Sequence, residues 1–306
     1  MNYLTNRKKF CAFSLFVLVL ICTYLQIYTC FFANAFPFYD LQPQDLVLRS
    51  KFYTSYSTST EERKSNVKLA AKSLNNVLVD VGGEFSFNRT VGPRTEKNGY
   101  KTAKIIVNGE FVDGVGGGVC QVSTTLYNAV LLAGLNVIEY HPHSLPVSYI
   151  APSFDAMVNS GSADLKFIND THNPILLKTH ADDSTITIEI YGEPTPYKFS
   201  RQSVLNAEIP APKEDEIFDE KNEYPNLYEG EKLVVRYSKN GIKSEGYLIK
   251  SKDGKPLSVT KIRTDRYAAT KGLIVYGKAV RPITPLPETD ESEIGNIPVP
   301  LPELIA

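Results

Sequence analysis

The sequence predicts an α+β fold with an antiparallel sheet, in which a helix carries a nucleophile at its N-terminus. A transmembrane helix is expected before it and a small all-β domain after it. Three observations lead there. Residues 10–36 form an uncharged, largely apolar run; a glycine-rich segment feeds directly into a helical apolar pattern at 121–135; and short alternating segments fill residues 136–191.

The N-terminal run follows Arg7, Lys8 and Lys9. It exceeds the roughly 20 residues a helix needs to cross a bilayer. The basic flank places its N-terminal end in the cytoplasm, so a membrane anchor (residues 1–36) would leave the working part outside, at the cell membrane. A cleaved signal peptide ending at Ala33-Asn34-Ala35 is the alternative. Of the four cysteines, Cys11, Cys22 and Cys30 lie inside the run. Cys120 stands alone in the exported part, where an unpaired thiol is flagged as reactive.

After the anchor, 37–60 reads as a membrane-proximal stretch. Residues 61–75 follow as a helix, with Val67, Leu69, Ala70, Ala71 and Leu74 on one side. Asn108-Gly109 between two apolar runs signals a hairpin. Strands are expected at 136–140, 147–150, 164–168, 175–179 and 185–191, closing a domain at 61–193. Acidic residues among prolines then suggest a linker at 194–223. A β-rich unit at 224–280 carries the turns Asn240-Gly241 and Asp253-Gly254, and a Pro-rich acidic tail, expected to be disordered, fills 281–306.

The 306 residues carry 33 basic and 34 acidic side chains, a formal net charge of -1, which gives a nucleic-acid partner no electrostatic support. One exported cysteine and four scattered histidines match no zinc spacing, so no metal is expected. The glycine run lacks the Lys-Ser/Thr of a P-loop, and no G-x-S-x-G elbow is present.

The chemistry gathers at Gly116-Gly117-Gly118-Val119-Cys120-Gln121-Val122-Ser123-Thr124-Thr125-Leu126. Glycines permit close backbone approach and positive φ. A cysteine at a helix N-terminus has its thiolate favoured by the helix dipole, and the free N–H groups can receive an oxyanion. A thiolate also needs a base and an orienting group. His143 is the candidate base among His141, His143, His172 and His180. Asp155 is the third member, with Asp164 the alternative.

From about Gly83 to Tyr191 the chain resembles the VanW family, associated with type-B vancomycin-resistance clusters. The resemblance rests on GEFSFNRTVGPRTEKNGY at 83–100, GGGVCQVSTTLYNAVLLAGL at 116–135 and HSLPVSY at 143–149. FDAMV at 154–158, DLKFIND at 164–170 and ITIEIYG at 186–192 extend it. It implies a peptidoglycan L,D-transpeptidase, with Cys120 as nucleophile, stem peptides as substrates and no cofactor. His143 and Asp155 become the other catalytic positions; Gly117, Gly118, Gln121, Ser123 and Ser144 become substrate-binding positions. The chain departs from the family pattern at Tyr140-His141, at Ser153, where a glycine is common, and at Met157. The 224–280 unit resembles the G-five surface domain through EGEKLVVRYSKNG and GLIVYG, which implies wall-sugar binding. A non-catalytic peptidoglycan- or glycopeptide-binding module and a cysteine peptidase of stem peptides are the competing readings. Oligomeric state is left open.

Overall fold

The structure is a computed structural model that describes residues 45–107 and 109–281. The expected anchor at 1–36, the turn residue Asn108 and the tail from 282 onward lie outside the described residues. Among the described residues, no helix is long and apolar enough to cross a membrane.

Strand β1 (Val47–Ser55) opens the described chain and pairs antiparallel with β9 (Thr185–Gly192). β9 then pairs with β8 (Ile175–Ala181), and β8 with β2 (Val77–Val79), giving a four-stranded sheet in the order β1-β9-β8-β2. Ile186, Ile188 and Ile190 alternate along β9 and are fully buried on one face, as a half-buried antiparallel strand requires. Helix α1 (Glu61–Leu74) starts at Thr60, whose hydroxyl accepts from the Arg63 N–H, with Glu61 and Glu62 in its first turn. It buries Val67, Ala70, Ala71 and Leu74.

Helix α2 (Phe87–Val91) follows β3 (Glu84–Ser86), which joins β7 (Lys166–Ile168) and β6 (Asn136–Glu139) in a second sheet. The hairpin β4 (Thr102–Val107) and β5 (Glu110–Val115) delivers the chain into the glycine run. Helix α3 (Val119–Ala133) then passes through the centre of the domain, packed on β1 and β9, and Gly134 ends it in the left-handed conformation at φ 74°. Its side chains are buried nearly all round, so it is a core helix rather than an amphipathic surface one.

Several expectations are corrected. The described chain is mostly β, with 45% strand and 16% helix, rather than α+β. One reason is that the membrane-proximal stretch 37–60 contains β1, part of the central sheet. Another is that the expected linker 194–223 is built of strands. β10 (Tyr197–Ile209) pairs along its length with β13 (Gly241–Lys252), and β11 (Asp215–Phe218) runs parallel to β15 (Leu273–Tyr276). Pro194, Pro196, Pro210 and Pro212 flank β10 and leave its interior free of proline. β12 (Lys232–Arg236) pairs with β15, and β14 (Lys255–Tyr267) completes a long ribbon in the order β10-β13-β14. Residues 147–150 form turns, not a strand.

The ribbon is seated on the first domain. A Cβ added at Gly134 would lie 2.3 Å from Phe199 Cε2, so β10 covers the end of α3. Arg201 stacks over Phe52 and Phe154 at 4.6 and 4.7 Å.

Candidate active site

Cys120 is the second residue of α3. Gly118 stands just before the helix with φ 107°, a conformation that an L side chain rarely adopts. A Cβ there would meet Arg63 Cγ and Val67 Cγ2 at 3.0 Å, which means the turn is pressed against α1. The Val119 N–H donates to Gly116 O at 3.2 Å and the Gln121 N–H to Gly118 O at 3.0 Å. Among the described residues the Cys120 N–H, like those of Gly117 and Gly118, has no such main-chain acceptor, so it is available to an oxyanion.

The half-buried Cys120 thiol donates to Val158 O at 3.3 Å, and the His143 ring lies near enough to act on its titration. His143 is 6% exposed; its Nδ1 lies 2.7 Å from Asp155 Oδ2, which leaves Nε2 for the thiol. Asp155 is 1% exposed, and the same Oδ2 also accepts the His143 main-chain N–H at 2.6 Å. Burial drives the Cys120 thiol up, but the bond to His143, the imidazolium charge and nearby Arg94 together hold it below its ordinary value. Burial likewise lowers His143, yet its bonds to Asp155 and Cys120 raise it to about 9. Together these shifts, the thiol lowered and the imidazole raised, favour a thiolate–imidazolium pair.

Asp155 carries further partners on its other oxygen. Tyr267 Oη donates to Oδ1 at 2.5 Å and Arg263 Nη2 at 3.3 Å, while Arg263 Nη1 binds the Asp155 carbonyl at 2.6 Å. Both residues come from β14. Burial alone would raise the Asp155 carboxyl; the His143 bond and charge, with Arg263 and Tyr267, hold it below the usual carboxylate range. Arg263 is fixed by Asp265 at 2.6 Å and lies over the Tyr140 ring at 4.7 Å.

The structure therefore joins Cys120, His143 and Asp155. It leaves Asp164 elsewhere, accepting from Ser86 Oγ and the Asn88 N–H at the start of α2. His141 pairs with Glu139. The expected substrate-binding residues lie mostly in the interior. Gln121 is buried, with its amide donating to Thr54 Oγ1 and Ser55 O and accepting from Arg63. Ser123 is buried and donates to Ala156 O at 2.5 Å. A Cβ on Gly117 would fall 2.7 Å from Lys104 O. Gln121 and Ser123 are thus satisfied by partners within the protein. Gly118 is packed on α1. Ser144 alone of the set is exposed, its carbonyl held by the Ala268 N–H.

Sequence reasoning passed over the residues that do surround the thiol. The charges of Arg63 and Arg94 both reach it, and so does the Tyr149 phenol, which bonds Thr124. Arg94 also lines an open cleft of about 640 Å³ with Arg89, Lys166, Glu139 and Asp164. Lys166 pairs with Glu139 at 2.8 Å, and Arg89 and Arg94 outnumber the remaining carboxylate, Asp164, so the cleft carries a small positive excess. The Arg94 fork is steadied by Asn88 Oδ1 at 2.8 Å.

Residues 62–191 match the family model described as VanW like protein. The chain is 42% identical over 142 residues to the uncharacterized protein YoaR of Bacillus subtilis (strain 168), covering 46% of this chain and 47% of that one. It is 32% identical over 152 residues to the vancomycin B-type resistance protein VanW of Enterococcus faecalis (strain ATCC 700802 / V583), covering 47% and 55%. It thus spans about half the length of these curated relatives. Among solved structures, an IgA1 protease G5 domain aligns over 27% of this chain and 90% of its own, at 19% identity and a TM-score of 0.18. The HP0197 G5 structure aligns over 27% and 100%, at 18% identity and a TM-score of 0.15.

Proposed function

We propose, from the premise that residues 62–191 form a VanW-like domain, that this protein is a cell-wall enzyme, a peptidoglycan L,D-transpeptidase working through a Cys120 thioester. The observation that carries the reading is the buried His143 ring, held by the Asp155 carboxylate at 2.7 Å, beside a cysteine in the first turn of a helix. A wall-binding module has no use for a thiol held below its ordinary pKa by an oriented imidazole.

The Cys120 thiolate attacks the carbonyl of the L-centre that precedes a terminal D-alanine. The C–S bond forms, the carbonyl electrons pass to an oxyanion at the Cys120 N–H, and the C–N bond breaks. The His143 imidazolium gives its proton to the departing amine of D-alanine. A side-chain amine of a neighbouring stem then attacks the thioester, loses a proton to His143 Nε2 and expels the thiolate. One amide is exchanged for another, and no redox partner or metal is called on. Arg89 and Arg94 suit the free carboxylates of a stem peptide, since a guanidinium fork matches a carboxylate. The basic residues and uncharged run at the N-terminus support an extracytoplasmic site of action.

The test is incubation of the full chain in detergent with purified tetrapeptide muropeptides, wild type beside Cys120→Ala, with products read by mass spectrometry. Cross-linked dimers from wild type alone support the proposal. Shortened stems without dimers mean a cysteine peptidase, and no product from either protein means a binding module.

A further inference from the structure

The family match ends at residue 191, yet the buried carboxylate that orients His143 is completed from residues 263 and 267. On Asp155, Oδ2 accepts two donors from His143 and Oδ1 accepts Tyr267 Oη and Arg263 Nη2. With both oxygens held, the carboxylate cannot rotate and the imidazole keeps Nε2 toward the thiol. The segment carrying His143 and Asp155 is held along its length by the same ribbon. Tyr140 Oη donates to Ile262 O at 3.2 Å, the Ala268 N–H to Ser144 O at 2.8 Å and the Ser153 N–H to Tyr267 Oη at 2.7 Å. Ser153 sits at φ 64°, in the left-handed region that residues other than glycine rarely adopt. Its hydroxyl meets Ser244 Oγ at 2.7 Å.

We infer that the β13–β14 ribbon is part of the catalytic unit, with Arg263 and Tyr267 as positioning residues that act on Cys120 through Asp155 and His143. Stability alone does not account for them. A buried ion pair is weak evidence of stabilisation, because apolar packing of the same volume is often as good. Here the guanidinium bridges Asp265 and the carboxylate that orients the base, at 2.6 and 3.3 Å. The inference deepens the proposed reaction but rests on the dyad geometry, and its test uses no substrate.

The experiment follows iodoacetamide alkylation of Cys120 in the full chain, read on the peptide that contains it, across a pH series. Wild type is compared with Tyr267→Phe, Arg263→Lys and Ser244→Ala, each also melted. The thiolate fraction answers to His143, Asp155, Arg63, Arg94 and Tyr149, which all variants retain. Tyr267→Phe and Arg263→Lys are expected to move the thiolate midpoint upward by about one pH unit, slowing alkylation about tenfold on the acid side. Ser244→Ala removes a seam bond that does not touch Asp155 and should melt lower with an unmoved profile. The inference is overturned if Tyr267→Phe and Arg263→Lys titrate like wild type, whatever their melting temperatures. If the profiles shift in a protein that forms no cross-links, the transpeptidase reading falls and the positioning role stands.

Discussion

Asp155 Oδ2 receives both the ring Nδ1 and the main-chain N–H of His143, at 2.7 and 2.6 Å. One oxygen thereby fixes the tautomer and the placement of the ring, leaving Nε2 as the nitrogen that meets Cys120. Asp155→Asn replaces this acceptor with an amide whose NH₂ group or flipped oxygen cannot serve both His143 and Tyr267. By analogy with other buried Asp–His pairs, turnover is expected to fall on the order of 10³-fold or more. The variant leaves Arg263 with Asp265 as its carboxylate partner at 2.6 Å, so the stability loss should stay below the roughly 3–5 kcal/mol of a buried charge left unpaired. Turnover and thermal melting, measured together, separate the two effects.

The opposed shifts of Cys120 and His143 set a pH window. His143 rises from 6.5 to about 9 while Cys120 falls below its usual 9.0. The ion pair then exists from the lowered thiol pKa up to about 9. Acylation should fall on the acid side as the thiolate takes a proton, and on the alkaline side near 9 as the imidazolium loses the proton owed to the leaving amine. The raised His143 pKa also contributes stability that is complete below 6.5 and lost as pH rises through about 9. Single-turnover acylation against pH checks this; an alkaline limb near 6.5 would refute the assigned pairing.

Arg94 bears on substrate more than on folding. It is one of two guanidiniums that give the cleft its sign, and its charge reaches the thiol. Removing a charged hydrogen-bond donor from a carboxylate forfeits about 1.5–3 kcal/mol, or roughly 10- to 100-fold. Arg94→Gln should raise KM by that order for stems with a free carboxylate and change it little for stems amidated there. Equal effects on both stems would remove the carboxylate from this cleft.

What could be read in the sequence follows from the range of the forces involved. Cys120 and the glycines before it were legible because a helix start and its turn are local. Asp155 is the preferred third member in the sequence, but spacing alone keeps Asp164 as an alternative until the fold places it at the start of α2. β10 was taken for linker because acidic residues and prolines dominate its surroundings, although the prolines only bracket it. Arg263, Asp265 and Tyr267 were passed over although they lie two apart on one strand face and are all buried. That polar stripe was the available signal, and it becomes meaningful only against a carboxylate more than a hundred residues earlier. The interior placement of the expected substrate-binding set has the same root. Polar residues beside a nucleophile look alike in sequence, whether they face a ligand or the interior.

Gln121 makes that distinction measurable. Its amide donates to Thr54 Oγ1 at 3.0 Å and Ser55 O at 2.8 Å, and its oxygen accepts Arg63 Nη2 at 2.7 Å. Thr125 Oγ1 closes the circuit, donating to Gln121 O at 2.7 Å and lying 2.8 Å from Thr54 Oγ1. The network ties α3 to β1 and α1 underneath the nucleophile. Gln121→Leu keeps the volume but removes the partners of the part-buried Arg63 Nη2 and Ser55 O and the buried bond to Thr54 Oγ1, at about 1–3 kcal/mol for a group left unsatisfied. The expected result is a protein less stable by about 2–4 kcal/mol in denaturant unfolding, with KM for stem peptides near wild type. A raised KM at unchanged stability would return Gln121 to the substrate-binding role that its place beside Cys120 first suggested.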